Sequence, residues 1–238
     1  MNPLRASLPA VMALVAAAAA LEAQTISNVD FDAIRRAISD TASAYHYPAL
    51  WRRLMRDDPA LGRREYAHLY YGQVYQDSYD PVNARLRERE REARAHLRAG
   101  RRRTAAAAAQ ELARIEPLNL QHIDLAGASL LAAGDTAAAK RYARRWRHLT
   151  ELILASGDGR TDTTAYVTVR VPDEYQAMRR LGVEPADHFF RGSRQGRFFS
   201  DVFSLKSNPG GRDSVYFNTN WSYWFLQRSV EPDRKGYR

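Results

Sequence analysis

The spacing of apolar side chains changes once along this chain, and that change divides it into two kinds of structure. Up to Ala155 apolar residues recur every three or four positions, the period of helices with one buried face. "NVDFDAIRRAISDTASAY" brings Phe31, Ile34, Ile38, Ala42 and Tyr45 to one side, with Asp30 or Asn28 as N-cap. "YPALWRRLMRDDP" gives a short helix with Pro48 in its first turn and Leu50, Trp51, Leu54 and Met55 inward. A third helix carries "REYAHLYYGQVYQDSYDP" (64–81) and closes at its "YDP". Further helices are expected over 82–99, 103–115, 118–132 and 135–155. In the last of these Tyr142, Trp146, Leu149 and Ile153 form the core stripe, while Lys140, Arg141, Arg144 and Arg145 face water.

Beyond "ASGDG" (155–159) the glycines stop the helix and the period falls to two. "AYVTVRV", "HFFRG", "RFFSDVFSL" and "SVYFNTNWSYWFL" read as strands. "PDEYQAMRRLGV" interrupts them as a short helix capped by Asp173, with Glu174 in its first turn. The expected fold is therefore α+β. A mostly helical region (24–156) precedes a small antiparallel β-sheet with one short helix (157–230), and a loose tail (231–238) follows. Within the helical region Gly100 and Gly134 stand 34 residues apart, each followed five residues later by an alanine, Ala105 or Ala139. Pro117 closes the first of these pairs, and the second lacks such a proline. That period resembles the antiparallel helix hairpins of tetratricopeptide repeats.

Residues 1–23 have the layout of a secretory signal peptide: Arg5, an apolar run over 8–21, and small residues before a polar stretch. Cleavage is expected near Ala20 or Ala23. Spanning a bilayer takes about 20 apolar residues, and this run is shorter and mostly alanine, so the mature chain is expected to have no transmembrane segment. No cysteine occurs, which removes disulfides, thiol catalysis and cysteine-bound zinc together. The expected product is exported, periplasmic or extracellular, and held together by its packed core.

The net charge is +9, and the basic residues are almost all arginine, as in proteins of GC-rich genomes. Residues 85–103 hold nine arginines against three glutamates. Two readings are open here. Glu88 with Arg91 and Glu90 with Arg94 suit a solvated helix whose C-terminal end gathers cations. The same run suits weak contact with an anionic surface. Nucleic acid is not an expected partner of an exported chain.

The chain is similar to a bacterial family known as domain of unknown function 4919. The resemblance rests on "YPAL" (47–50), "EYAHLYYGQVYQ" (65–76) with "YDP" after it, "ASGDG", "TAYVTVRVPDEY" (164–175), "LGV" (181–183) and "VYFN" (215–218). It covers nearly the whole mature chain and implies an exported bacterial protein. It implies no reaction, and there are no family catalytic residues to carry over.

Two constellations draw attention as sites. On the third helix Tyr66, Leu69, Tyr70, Gln73 and Val74 make a core stripe. His68, Tyr71, Gly72, Tyr75 and Gln76 make a second, aromatic-polar one. His68, Tyr71, Tyr75 and Gln76 are thus the candidate ligand-binding residues, for a protein, peptide or glycan. Alternatively these rings pack inside and Gly72 marks a tight crossing. Asp158, Asp173 and Glu174 are the candidate catalytic carboxylates, although a helix stop and a helix cap account for them as well. No histidine spacing for a metal and no nucleophile elbow occurs, and no cofactor is expected. The leading expectation is a non-enzymatic binding or scaffold module of the cell envelope. The alternative is a cell-envelope hydrolase using carboxylates near the SGDG turn.

Overall fold

A computed structural model describes residues 29–192, 198–206 and 211–230. The expected signal peptide and the expected tail lie outside these residues. Asp30 opens α1 (Phe31–Ser39) by accepting the Ala33 amide at 2.8 Å, and Ile34 and Ile38 form its buried face. Helix α2 (Tyr47–Met55) has Pro48 in its first turn and buries Tyr47, Leu50 and Leu54. Met55, expected inward, is 41% exposed. The helix ends on it, and the chain turns away through Asp57 in a left-handed conformation (φ 51°). Helix α3 (Arg63–Gly72) begins with Glu65 accepting the Gly62 amide at 3.1 Å and tightens into a 3₁₀ turn over Gln73–Tyr75.

Helices α4 (Arg87–Arg98), α5 (Arg102–Ile115), α6 (Leu120–Ala133) and α7 (Thr136–Leu154) then pack each on the next. Small side chains, among them Ala93, Ala109, Ala113 and Ala126, let α4, α5 and α6 approach one another. Gly100 (φ 71°) and Gly134 (φ 89°) make left-handed turns with open space around their α-carbons. Their shared role is therefore conformational. Arg145, expected in water, is buried. Its guanidinium donates to the Pro117 and Leu54 carbonyls at 3.4 and 3.3 Å and pairs with Asp57. A charge on the polar side of α7 thus bolts it to the ends of α2 and α5.

After β1 (Tyr166–Val167) come α8 (Val171–Leu181), β2 (Pro185–Gly192), β3 (Phe199–Leu205), β4 (Ser214–Asn218) and α9 (Asn220–Val230). The sheet order is β1-β4-β3-β2. β4-β3-β2 is antiparallel as expected, but β1 joins β4 in parallel, so the sheet is mixed. Parallel neighbours need a long crossover, and α8 with two strands supplies it. The second half of "SVYFNTNWSYWFL" is helix α9 and not strand. Asn220 turns the chain there by accepting the Phe199 amide at 2.6 Å. Trp221 and Phe225, one helical turn apart, then pack on Phe31 and Tyr79. One core runs through both regions, from α1–α3, α6 and α7 to α8 and the sheet.

Candidate functional site

The start of α8 lies where α3, α6 and the sheet meet, and it carries two adjacent acids with no solvent exposure. Asp173 was expected to cap its own helix. The N-cap position is Arg170 instead, and Asp173 reaches outward to other elements. It accepts the Tyr70 hydroxyl at 2.8 Å and the Leu120 amide at 3.3 Å, so it adds a bond at the start of α6, whose N-cap Asn119 accepts the Gln121 and His122 amides. Burial pushes its carboxyl up to about 6, against the opposing pull of Arg170, Tyr70 and the Leu120 amide.

Glu174 accepts the Thr168 hydroxyl at 3.4 Å and lies within hydrogen-bonding reach of Asp201 on β3. Two buried carboxyl groups can adjoin only if one keeps its proton. Burial first, and then Asp201, hold Glu174 well above the usual carboxylate range. Glu174 is therefore the protonated partner and donates to Asp201. On its other side Asp201 accepts from His188 Nε2 at 2.8 Å. The row Glu174–Asp201–His188 leads from the interior to the surface, where the His188 side chain is 43% exposed and its ring stacks on Phe203.

Around that histidine lies an aromatic rim. Tyr175 meets Phe203 edge-on, and Phe190 stacks with Phe199 and Tyr223. Tyr175, Phe189 and Phe190 are each close to half exposed. Phe189 and Phe190 alternate to opposite faces of β2, a strand with almost every residue exposed. Among the described residues no strand pairs with its outer edge.

A second buried cluster fastens α4 to α6 and α8. Glu116 accepts from Asn83 at 2.8 Å and Asn119 at 2.9 Å, and pairs with Arg170 at 3.2 Å and His122 at 3.2 Å. Glu90 holds Arg94 and faces the other side of His122. Those two partners, His122 first, bring the Glu90 carboxyl down to about 2.

The expected ligand-binding residues are engaged with the protein itself. Tyr71 is buried, its hydroxyl donates to the Val167 carbonyl at 3.4 Å, and its ring meets Phe31 and Tyr70 edge-on. His68 stacks on Tyr45 with Nδ1 on the Arg64 carbonyl at 2.8 Å. Tyr75 donates to the Phe31 carbonyl at 3.1 Å, and Gln76 to the Gly72 carbonyl at 3.2 Å. Gly72 marks a tight crossing, since a methyl group there would stand 3.1 Å from Ile38 Cδ1. Asp158 stands apart from the other two acids, exposed in its turn. The Thr164 hydroxyl and the Arg160 amide hold its carboxyl below the usual range. A Cβ at Gly157 would stand 2.3 Å from the Thr164 carbonyl, and one at Gly159 would stand 2.3 Å from the Tyr166 ring. The SGDG turn is thus shaped by the strand that folds back over it.

Residues 32–223, well over half of the chain, match the family model described as Domain of unknown function (DUF4919). The chain belongs to this family. No curated protein and no solved structure matches it. The DUF4919 span includes every residue of both buried clusters and of the rim. Among the described residues of this DUF4919 protein, no group of three His, Asp or Glu side chains is placed to hold a metal ion. No described helix is long and apolar enough to cross a membrane. Sequence reasoning singled out Asp173 and Glu174 but missed His188, Asp201 and Tyr175. The one signal for His188 and Asp201 was a histidine or acid inside an otherwise aromatic strand, "DHFFRG" and "FFSDVF", and Tyr175 had none.

Proposed function

We propose that this protein is an exported, non-enzymatic binding module of the bacterial cell envelope that takes an extended polypeptide along the free edge of β2. The observation that carries the reading is that edge. Among the described residues the outward-facing amides and carbonyls of this eight-residue strand, whose other side pairs with β3, have no strand partner, and half-exposed Phe189, Phe190 and Tyr175 lie beside them. An edge with two exposed phenylalanines is a liability unless something covers it. Only a polypeptide matches a strand's alternating amides and carbonyls, with aromatic side chains reading alternate residues of the ligand. Export is supported by the apolar run over 8–21 behind Arg5. The buried acids are sealed within the protein and serve to join its helices to its sheet.

The test is selection from a displayed library of random peptides, followed by affinity measurement and amide hydrogen exchange. Selected peptides are expected to slow exchange along β2 and to bind Phe190→Asp and Phe189→Asp at least tenfold more weakly. Recovery of no binder, or peptides that protect another element, overturns the reading. A second reading, a cell-envelope hydrolase, is favoured by one observation, the His188–Asp201 hydrogen bond, because an acid-backed histidine is suited to general-base work. Turnover of envelope peptides or glycans that is lost in His188→Gln would carry it.

A further inference from the structure

Apart from Glu90 and Arg94, which face the second buried cluster, the arginine-rich stretch 85–103 belongs to neither the buried clusters nor the β2 rim. Eight of its nine arginines are exposed, all but Arg94. Its inner side is apolar, with Leu86, Ala93 and Leu97 packed toward α5 and α6. The three glutamates offset little of the charge. Glu88 pairs with Arg91, and Glu90 is turned to Arg94 and His122, leaving Glu92 alone. The nearby Glu111 is held by Arg114. Among the described residues Arg85, Arg87, Arg89, Arg98, Arg102 and Arg103 form no ion pair.

The turn concentrates this charge. Arg87 to Arg98 run along roughly 16 Å of helix at 1.5 Å per residue. Gly100 then reverses the chain and brings Arg101, Arg102 and Arg103 back beside the end of α4. Folding gains little from such a surface. Arg87 with Arg91, and Arg94 with Arg98, are like charges at a spacing that destabilises a helix. The helix dipole favours cations only in the last turn.

We infer that this belt is a docking surface for a planar array of anionic phosphate groups, that of an acidic phospholipid bilayer. The stretch has no Phe, Tyr or Trp, and its one ring, His96, is engaged by Arg101 at 2.7 Å, so it offers little platform for stacking on bases or sugars. Its leucines face inward, so nothing inserts among acyl chains. What remains is a row of guanidinium forks, each able to take a phosphate through two hydrogen bonds. The contact is electrostatic and screened by salt. It uses elements remote from β2 and stands whether or not that strand binds a peptide.

The experiment is co-sedimentation of the full chain with vesicles of phosphatidylcholine alone or mixed with phosphatidylglycerol. The neutral vesicles report anything contributed by the apolar N-terminal run. Binding is expected only with phosphatidylglycerol and is expected to weaken steeply as salt is raised. Each arginine near such a surface is worth about fivefold in affinity, so Arg89→Gln, Arg98→Gln and Arg102→Gln together are expected to lose about a hundredfold. The triple variant keeps its fold, checked by its melting curve, because all three side chains are exposed. Equal binding to both vesicles, binding indifferent to salt, or a triple variant that binds as wild type overturns the inference. So does tighter capture of duplex DNA or of an acidic polysaccharide at the same salt. Phe190→Asp is expected to leave vesicle binding unchanged, which separates this outcome from that of the peptide test.

Discussion

Replacing Asp173 by asparagine removes one ionisation with almost no change in volume, and the burial of the carboxyl sets the sign of the effect. Burial raises this carboxyl from 3.8 to about 6, which corresponds to about 3 kcal/mol of proton-linked stability. The folded state holds the proton more tightly than the unfolded chain does. The contribution is therefore complete below about pH 4, declines as pH rises toward about 6, and is absent above that. Near neutral pH the wild type carries an interior carboxylate that asparagine would not. Asparagine keeps one acceptor oxygen for two donors, the Tyr70 hydroxyl and the Leu120 amide, so at the acid end the variant is weaker by about 1–2 kcal/mol. With rising pH the difference should close and then favour asparagine. Urea unfolding of both proteins at a series of pH values measures it, and other titrating groups cancel in the subtraction. A difference that stays constant, or that moves in favour of aspartate as pH rises, would mean that Arg170 and the two donors outweigh burial. The account of this acid would then fall.

Glu174→Gln should stay within about 1 kcal/mol of wild type below about pH 4, because an amide N–H can replace the acid proton that Asp201 accepts. As pH rises above the ordinary carboxylate range the unfolded wild type gives up this proton while folded Glu174 keeps it, so wild type, but not the variant, should lose stability steadily through neutral pH until the folded carboxyl itself ionises, which a pH series of thermal melts reads. Gly157→Ala sets a methyl group 2.3 Å from a backbone carbonyl that cannot step aside, at a cost of about 3 kcal/mol or more. Gly134→Ala, in open space with a left-handed φ, should cost only about 1–2 kcal/mol. Chemical denaturation compares these two. Arg145→Met strands the Leu54 and Pro117 carbonyls and should cost about 2 kcal/mol or more, seen as a melting point several degrees lower.

The helices were legible because their apolar periods are long and their caps local, as at Asp30 and Asp135. Helix α9 was not, because in "NWSYWFL" nearly every residue is apolar or aromatic, so a period of two and a period near four fit equally well. On α3 the reading separated a core stripe from an open one. That distinction failed for Tyr71 because α3 packs against α1, α2 and α7 and is enclosed on several sides. Asp173 and Glu174 stood out as an acidic pair, yet their partners did not. His188 and Asp201 meet only through strand register, which pairs His188 with Phe203 and Phe190 with Asp201. Register is a property of the assembled sheet, and no local spacing announces it.

The bond that Asp173 adds to the Leu120 amide, beside the local Asn119 cap of α6, also bears on the order in which the protein can form. Leu120 waits for a carboxylate 53 residues further along the chain, and Tyr70 for the same group 103 residues away. A nascent chain that has emerged only as far as α7 lacks the group that completes the first turn of α6. It also lacks the sheet that covers the tyrosines of α3. Closing such distant contacts is slow compared with forming a hairpin. A fragment ending near residue 156 is therefore expected to stay partly unfolded, and the final structure should lock in one late step, when α8 arrives.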